Sequence, residues 1–257
     1  MIKHILKILF VLLICSVRLY SQSSPYEISL PYSCGFEDSL ENQNWVINAG
    51  SEGPLCADQW MIGNLDYVEG YNSLYISCDT GKTTTYGSKP NSVIAYRKFE
   101  IPMDSVGSSY IADCSFDYKC VGELGVSVVK FYLLPDGYIS ESDLSSSATT
   151  ATLSGRLRNV APHATLYSEQ LWRYWSSLSN GTTFTLEGGK KYYMIFVWEN
   201  RNSNKDKEPT IAACVDNIQL SVANCWKPEN MKVDAKCDTI KVSWEGMNEN
   251  YEFEYKP

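Results

Sequence analysis

Two histidines decide which nucleophilic chemistry this chain can carry. They are His4 and His163, and His4 falls in the N-terminal segment read below as a leader. Ser-His-Asp or Cys-His catalysis would therefore run through His163. It sits in Ala161-Pro162-His163-Ala164 and reads as a solvent-facing loop residue. Carboxylates are plentiful, with 30 Asp and Glu. A glycosidase uses two of them as acid and nucleophile. Glu37 and Asp216 could form such a pair, but nothing in their spacing selects them over other acidic pairs. Aromatic residues offer a different chemistry, because an exposed flat ring is a platform for a sugar face and a buried one is packing. Trp172, Tyr174 and Trp175 cluster in Gln170-Leu171-Trp172-Arg173-Tyr174-Trp175, and Tyr67 and Tyr71 lie in a loop. On one strand Trp172 and Tyr174 share a face and Trp175 takes the other. One face is then core, and the other is a candidate ligand surface.

The elements that position these residues are strands. Ser73–Ser77, Val93–Tyr96 and Val126–Leu133 alternate apolar with polar residues or run apolar over short spans bounded by turn residues. Cys114, Phe116, Tyr118 and Cys120 form a stripe at period two. Lys191–Trp198 is apolar nearly throughout, the pattern of a central strand covered on both faces. No long stretch keeps helical periodicity. The pattern predicts an all-β jelly-roll β-sandwich. Residues 136–151, which open on the turn signal Asp136-Gly137, and residues 200–209 read as surface excursions.

The N-terminus reads as a cleaved signal peptide over residues 1–21. Lys3 and Lys7 mark the basic start, and Ile8–Cys15 is an apolar run too short to span a bilayer. Losing Lys3, Lys7 and Arg18 takes the basic residues from 22 to 19 against 30 acids, and the net charge from −8 to −11. Such a surface repels nucleic acid and suits divalent cations. Of nine cysteines, the eight after Cys15 permit disulfides in an exported chain. Their spacing lacks paired CxxC units, which argues against structural zinc. Cys114 and Cys120, on one strand, stand ~20 Å apart and cannot bond each other. Some of the eight can serve as small buried hydrophobes.

After Leu220 the composition changes. Ala223–Pro228 reads as a linker, and three short alternating segments follow, around Met231–Val233, Ile240–Trp244 and Tyr251–Tyr255. Pro228, Met231, Val233, Ile240, Val242, Trp244, Tyr251, Phe253 and Tyr255 resemble the first half of a fibronectin type III domain. The expected organisation is a leader (1–21), a jelly roll (22–222) and a partial immunoglobulin-like, fibronectin type III β-sandwich (223–257) within a longer polypeptide.

Four motifs give residues 34–222 a second resemblance. They are Phe36-Glu37-Asp38 with Trp45, Gly70–Ile76, Gly188–Tyr193 and Val215–Leu220. In order and spacing they resemble the cleaved adhesin domains of gingipain-type haemagglutinins and the wider MAM-like jelly rolls of Bacteroidetes surface proteins. The resemblance implies a jelly roll, often with structural Ca2+, in secreted or cell-surface proteins that adhere to glycans or to host and matrix proteins. It also implies that the opening glutamate, Glu37, and the closing aspartate, Asp216, share that cation. Asp38, Asp79 and Asn217 could add oxygens, and calcium takes six to eight. Their other reading is local, with Asp38 as a cap and Asp79 as a turn residue. The resemblance leaves residues 136–170 without a counterpart. The expectation is a non-catalytic extracellular binding module with no transmembrane span in the mature chain. The alternative is an accessory domain of an exported protease or of a carboxylate-based glycoside hydrolase.

Overall fold

The computed structural model describes residues 26–49, 58–88, 90–102, 109–122, 124–146, 148–149, 152–153, 156–201, 210–222, 229–235 and 240–245. The leader, Cys56, Cys225, Cys237, the linker 223–228, most of the 200–209 loop and the segment Tyr251–Tyr255 lie outside them.

In chain order the elements are β1 (Tyr32–Cys34), α1 (Ser39–Asn42), β2 (Trp45–Ala49), β3 (Gln59–Gly63), β4 (Ser73–Ser77), β5 (Thr85–Tyr86) and β6 (Asn91–Glu100). Then come β7 (Ser109–Cys120), β8 (Ser127–Pro135), α2 (Glu141–Ser146), β9 (Ala148–Thr149), β10 (Thr152–Leu153), β11 (Ala164–Leu166) and β12 (Glu169–Ser176). The last are β13 (Phe184–Glu187), β14 (Lys191–Asn200), β15 (Thr210–Ile211), β16 (Ala213–Val222), β17 (Glu229–Ala235) and β18 (Ile240–Glu245). Among the described residues strands far outnumber helix, so the fold is all-β, a jelly-roll β-sandwich of two sheets. The first sheet runs β11-β8-β14-β6-β2. The second runs β12-β7-β16-β4-β3, with β1 also on β16 and β13 also on β7.

β14 is the axis of the first sheet. It pairs with β6 from Lys191↔Glu100 to Asn200↔Asn91 and with β8 on its other edge. Its alternate side chains divide between two cores. Tyr192, Met194, Phe196 and Trp198 face the second sheet. There Phe116 of β7 stacks on Trp175 at 4.9 Å and meets Phe131 and Phe196 at about 5 Å. Tyr193, Ile195 and Val197 point the other way. They are buried under Ile139, Leu144 and Leu157, which come from the segment between β8 and β11.

That second core corrects one expectation. Residues 136–151 were expected to be a surface excursion, yet Ile139 and Leu144 are fully buried. The Ser-rich stretch carries few apolar residues, but those few plug the outer face of the first sheet. The both-faces reading of Lys191–Trp198 holds for the same reason.

The free edge of β3 is closed by a side chain. The Asn48 amide receives the Trp60 N–H at 2.6 Å and donates to the Trp60 carbonyl at 3.0 Å, replacing a neighbouring strand. The β17–β18 hairpin forms where the first two fibronectin-like strands were expected, with Val233 opposite Val242.

The five described cysteines, Cys34, Cys78, Cys114, Cys120 and Cys214, are free thiols, and all but Cys78 are buried. Burial pushes the Cys120 thiol up to about 11, so it stays protonated and packs as a small hydrophobe. The disulfide framework permitted by the even cysteine count is therefore not formed among these five.

Candidate functional site

Residues 64–72, between β3 and β4, cross the outer face of the second sheet, held there by two carboxylates from distant parts of the chain and by one of their own. Asp216 of β16 is fully buried. Its Oδ2 accepts from the Val68 N–H at 3.0 Å and the Glu69 N–H at 3.5 Å, and its Oδ1 accepts from the Asn217 N–H at 2.7 Å. Glu37, on the turn after β1, receives the Tyr71 and Asn72 N–H groups at 2.7 and 2.6 Å and the Asn72 side-chain amide at 3.1 Å. Asp66 closes the loop against β7 and β12. It accepts from the Trp172 indole at 2.9 Å and pairs with Lys119 at 2.7 Å.

Local sequence explains why the loop can be gripped so closely. Gly70 has φ 73°, and a Cβ there would lie 2.5 Å from Glu37 Oε1. Only glycine allows both that backbone and that approach. Asn217 sits in a β-bulge with φ 48°, which breaks the β16–β7 register between Asp216 and Gln219. The bulge sets Asp216 under the loop, and the Asn217 amide donates to Asp117 at 3.0 Å.

What the clamps present is aromatic. Tyr71 is 73% exposed, and its ring lies 6.4 Å from that of Tyr67, which is 39% exposed. Tyr174 of β12, 62% exposed, stands opposite Asp117 on the outer face of the same sheet. Leu65, Val68 and Leu171 are exposed beside them in sequence. Five tyrosines are exposed among the described residues, and three of them are here.

The predicted site residues thus sort themselves. Tyr67, Tyr71 and Tyr174 are available to a ligand. Trp172 is half-buried with its indole N–H engaged by Asp66, so it braces the loop. Trp175 is corrected to core, because its side of β12 faces Phe116 and Phe131 and it is 6% exposed. Asp38 caps α1 by accepting from the Leu40 N–H at 2.8 Å. Asp79 organises the turn after β4, accepting from Ser77 Oγ at 2.7 Å and from the Lys82 and Thr83 N–H groups. The Ser77 hydroxyl, followed by the Thr83 side-chain and backbone donors, holds its carboxyl at about 2. His163, expected to face solvent, is partly buried edge-on against Phe184 at 4.7 Å, and burial lowers its pKa. Its Nε2 lies 3.2 Å from the Leu133 carbonyl oxygen.

Calcium does not fit the Glu37 and Asp216 that the resemblance implied. A cation needs oxygen lone pairs directed at it. Here all four carboxylate oxygens face N–H donors, which carry the wrong sign. Those donors, the Tyr71 N–H foremost, also hold Glu37 below the usual carboxylate range. Among the described residues no group of three or more His, Cys, Asp or Glu is placed to hold a metal. The two residues do cooperate across the fold, but what they share is a loop. The same engagement leaves neither of them free to act as a glycosidase acid or nucleophile.

No protein-family profile and no curated protein matches the chain. Solved structures do show similarity. One is the CBM22-1 xylan-binding domain of Paenibacillus barcinonensis Xyn10C, at 13% identity and TM-score 0.38, covering 79% of this chain and 100% of that one. Another is the C-terminal family 22 carbohydrate-binding module of Clostridium thermocellum Xyn10B, at 12% identity and TM-score 0.39, covering 79% and 98%. A third is an endo-β-galactosidase from Clostridium perfringens, at 10% identity and TM-score 0.37, covering 88% and 74%. Likeness at this level carries neither a ligand nor a residue's role across.

A direct check for calcium at this loop is thermal unfolding with calcium or with chelator. A folded-state calcium site at hundredfold excess over its Kd would add ~2.7 kcal/mol, several degrees of melting temperature at this size. We expect the two curves to coincide. A chelator-dependent drop of that size would restore the cation.

Asp66 was missed because a lone aspartate in Asn64-Leu65-Asp66-Tyr67 looks like any loop acid. Its partner Trp172 is 106 residues away. The one legible signal was that both segments had been singled out for aromatics.

Proposed function

We propose that this chain is a non-catalytic, extracellular glycan-binding module that takes its ligand on the tyrosine surface of residues 64–72 and β12. One observation carries this reading: Tyr71 and Tyr67 stand exposed on a loop whose backbone is fixed by carboxylates at Val68 and at Tyr71. Large exposed rings on a pinned backbone offer stacking area at little entropic cost. Clusters of exposed apolar side chains on a soluble surface commonly mark binding sites. The outer face of the first sheet is partly taken up by Ile139, Leu144 and Leu157, which favours the second sheet as the ligand side. The basic-then-apolar residues 1–21 support export, and no described helix is long and apolar enough to cross a membrane.

Electrophoresis of the full chain through gels containing xylan, mannan, laminarin or galactan tests the reading. At least one polysaccharide should retard it. A Tyr71→Ala/Tyr174→Ala variant with unchanged melting should run as if the polysaccharide were absent. Failure of every polysaccharide to retard the wild type would count against a glycan ligand.

A further inference from the structure

A groove of about 500 Å³ opens beside the clamped loop, along β1 and α1. It lies within the size range of small-molecule sites. Glu37 belongs to both places, lining the groove while its Oε1 grips the Tyr71 backbone. The groove therefore begins one side chain away from the most exposed ring of the platform. Its lining is polar, including the exposed Ser29, Ser33 and Asn44. Asn42 also lines it and keeps a buried Oδ1 with no hydrogen-bond partner among the described residues. An acceptor left unpaired out of water is costly unless something donates to it.

Charge narrows the class of donor. The one basic side chain in the groove, Arg97, is 2% exposed and spent on Glu41 at 2.8 Å. Glu27, Glu37 and Asp38 add negative charge at the mouth. At the platform, Lys119 is held by Asp66 and Arg173 by Glu169 at 2.9 Å. A sulfate or uronate would find no unpaired cation in either set and would meet carboxylates instead. Sugar hydroxyls can donate to the exposed carboxylates of Glu27 and Asp38.

We infer that the groove is a second subsite of the same surface, taking the uncharged continuation of a glycan chain whose other end stacks on Tyr71. The inference rests on the platform reading. It adds that affinity rises with chain length through contacts around β1 and α1, and that the chain is neutral.

The test is calorimetric titration of the full chain with xylo-, manno- and laminari-oligosaccharides, from disaccharide to hexasaccharide. Within the series that binds, affinity should climb tenfold or more with length. Ser33→Trp, on an outward position of β1 facing into the groove wall, should remove that gain and leave disaccharide binding unchanged. Asn44→Ala, at an exposed position, guards against misfolding of the larger substitution and should reduce the gain. The carboxymethylated polymer of the series that binds should bind at least tenfold more weakly than the native polymer in low salt, with the gap shrinking as salt screens it. Affinity flat with length, a full gain in both variants, or equal affinity for the carboxymethylated polymer would overturn the subsite and leave the platform standing. Binding of no oligosaccharide or polymer would overturn both.

Discussion

Replacing Asp58 by alanine should cost the fold about 3–5 kcal/mol, because it strands buried donors in the sandwich core. Asp58 is 1% exposed. Its Oδ1 accepts from the Gly87 N–H at 2.8 Å. Its Oδ2 accepts from the Trp198 indole at 2.9 Å and the Asn200 amide at 3.0 Å. Two other segments, Gly87 after β5 and the end of the central strand β14, thus meet on one carboxylate. In a domain of this size the loss is on the order of 10 °C in melting temperature, which circular dichroism would resolve. Burial raises the Asp58 pKa, and the three donors pull it back only in part. With the folded value above the unfolded one, its stabilising contribution is full below the ordinary carboxylate range and is lost as pH rises through the raised value. The stability gap between the wild type and Asp58→Asn should therefore narrow as pH rises through that window. An alanine variant as stable as the wild type would show that these donors find other partners.

The second large effect is on binding. Gly70→Ala should weaken glycan affinity tenfold or more, about 1.4 kcal/mol, while the melting temperature falls only modestly. The new Cβ would press on Glu37 Oε1, the free end of a flexible side chain. Glu37 would swing away, and the Tyr71 and Asn72 N–H groups would turn to water. The left-handed backbone adds a penalty of about 1–2 kcal/mol for a residue with a Cβ. Glu37→Ala should cause a similar loss of affinity by removing the same clamp from the other side. The two changes should not add in the double variant, since a broken contact cannot be broken again. Additive losses would mean that Gly70 and Glu37 act on the ligand by separate routes.

Much of the fold was legible because strand burial is written locally. Period-two alternation predicts β4, β6 and β8, and the apolar run Lys191–Trp198 predicts a strand covered on both faces. The split of Trp172 and Tyr174 from Trp175 followed from the same geometry. The local readings of Asp38 and Asp79 needed only their neighbours. What sequence could not supply is non-local. Val68 and Asp216 are 148 residues apart, and Asp58 and Trp198 are 140 apart. Nothing in Ala57-Asp58-Gln59-Trp60 distinguishes a buried acceptor from a surface acid. Ile139, Leu144 and Leu157 escaped notice because three apolar residues scattered through a polar stretch have no period. The Glu37–Asp216 pairing came from resemblance. It located two cooperating residues, but it could not say whether cations or N–H groups faced them.

The central claim is that the clamped tyrosine surface binds glycan. Its most direct test is one titration series with the polysaccharide that retards the full chain, comparing the wild type with Tyr71→Ala and Tyr174→Ala. Each variant should lose tenfold or more in affinity with its melting temperature unchanged, because both rings are exposed and support no core contact. Wild-type affinity in both variants would contradict the account and place the ligand elsewhere on the fold.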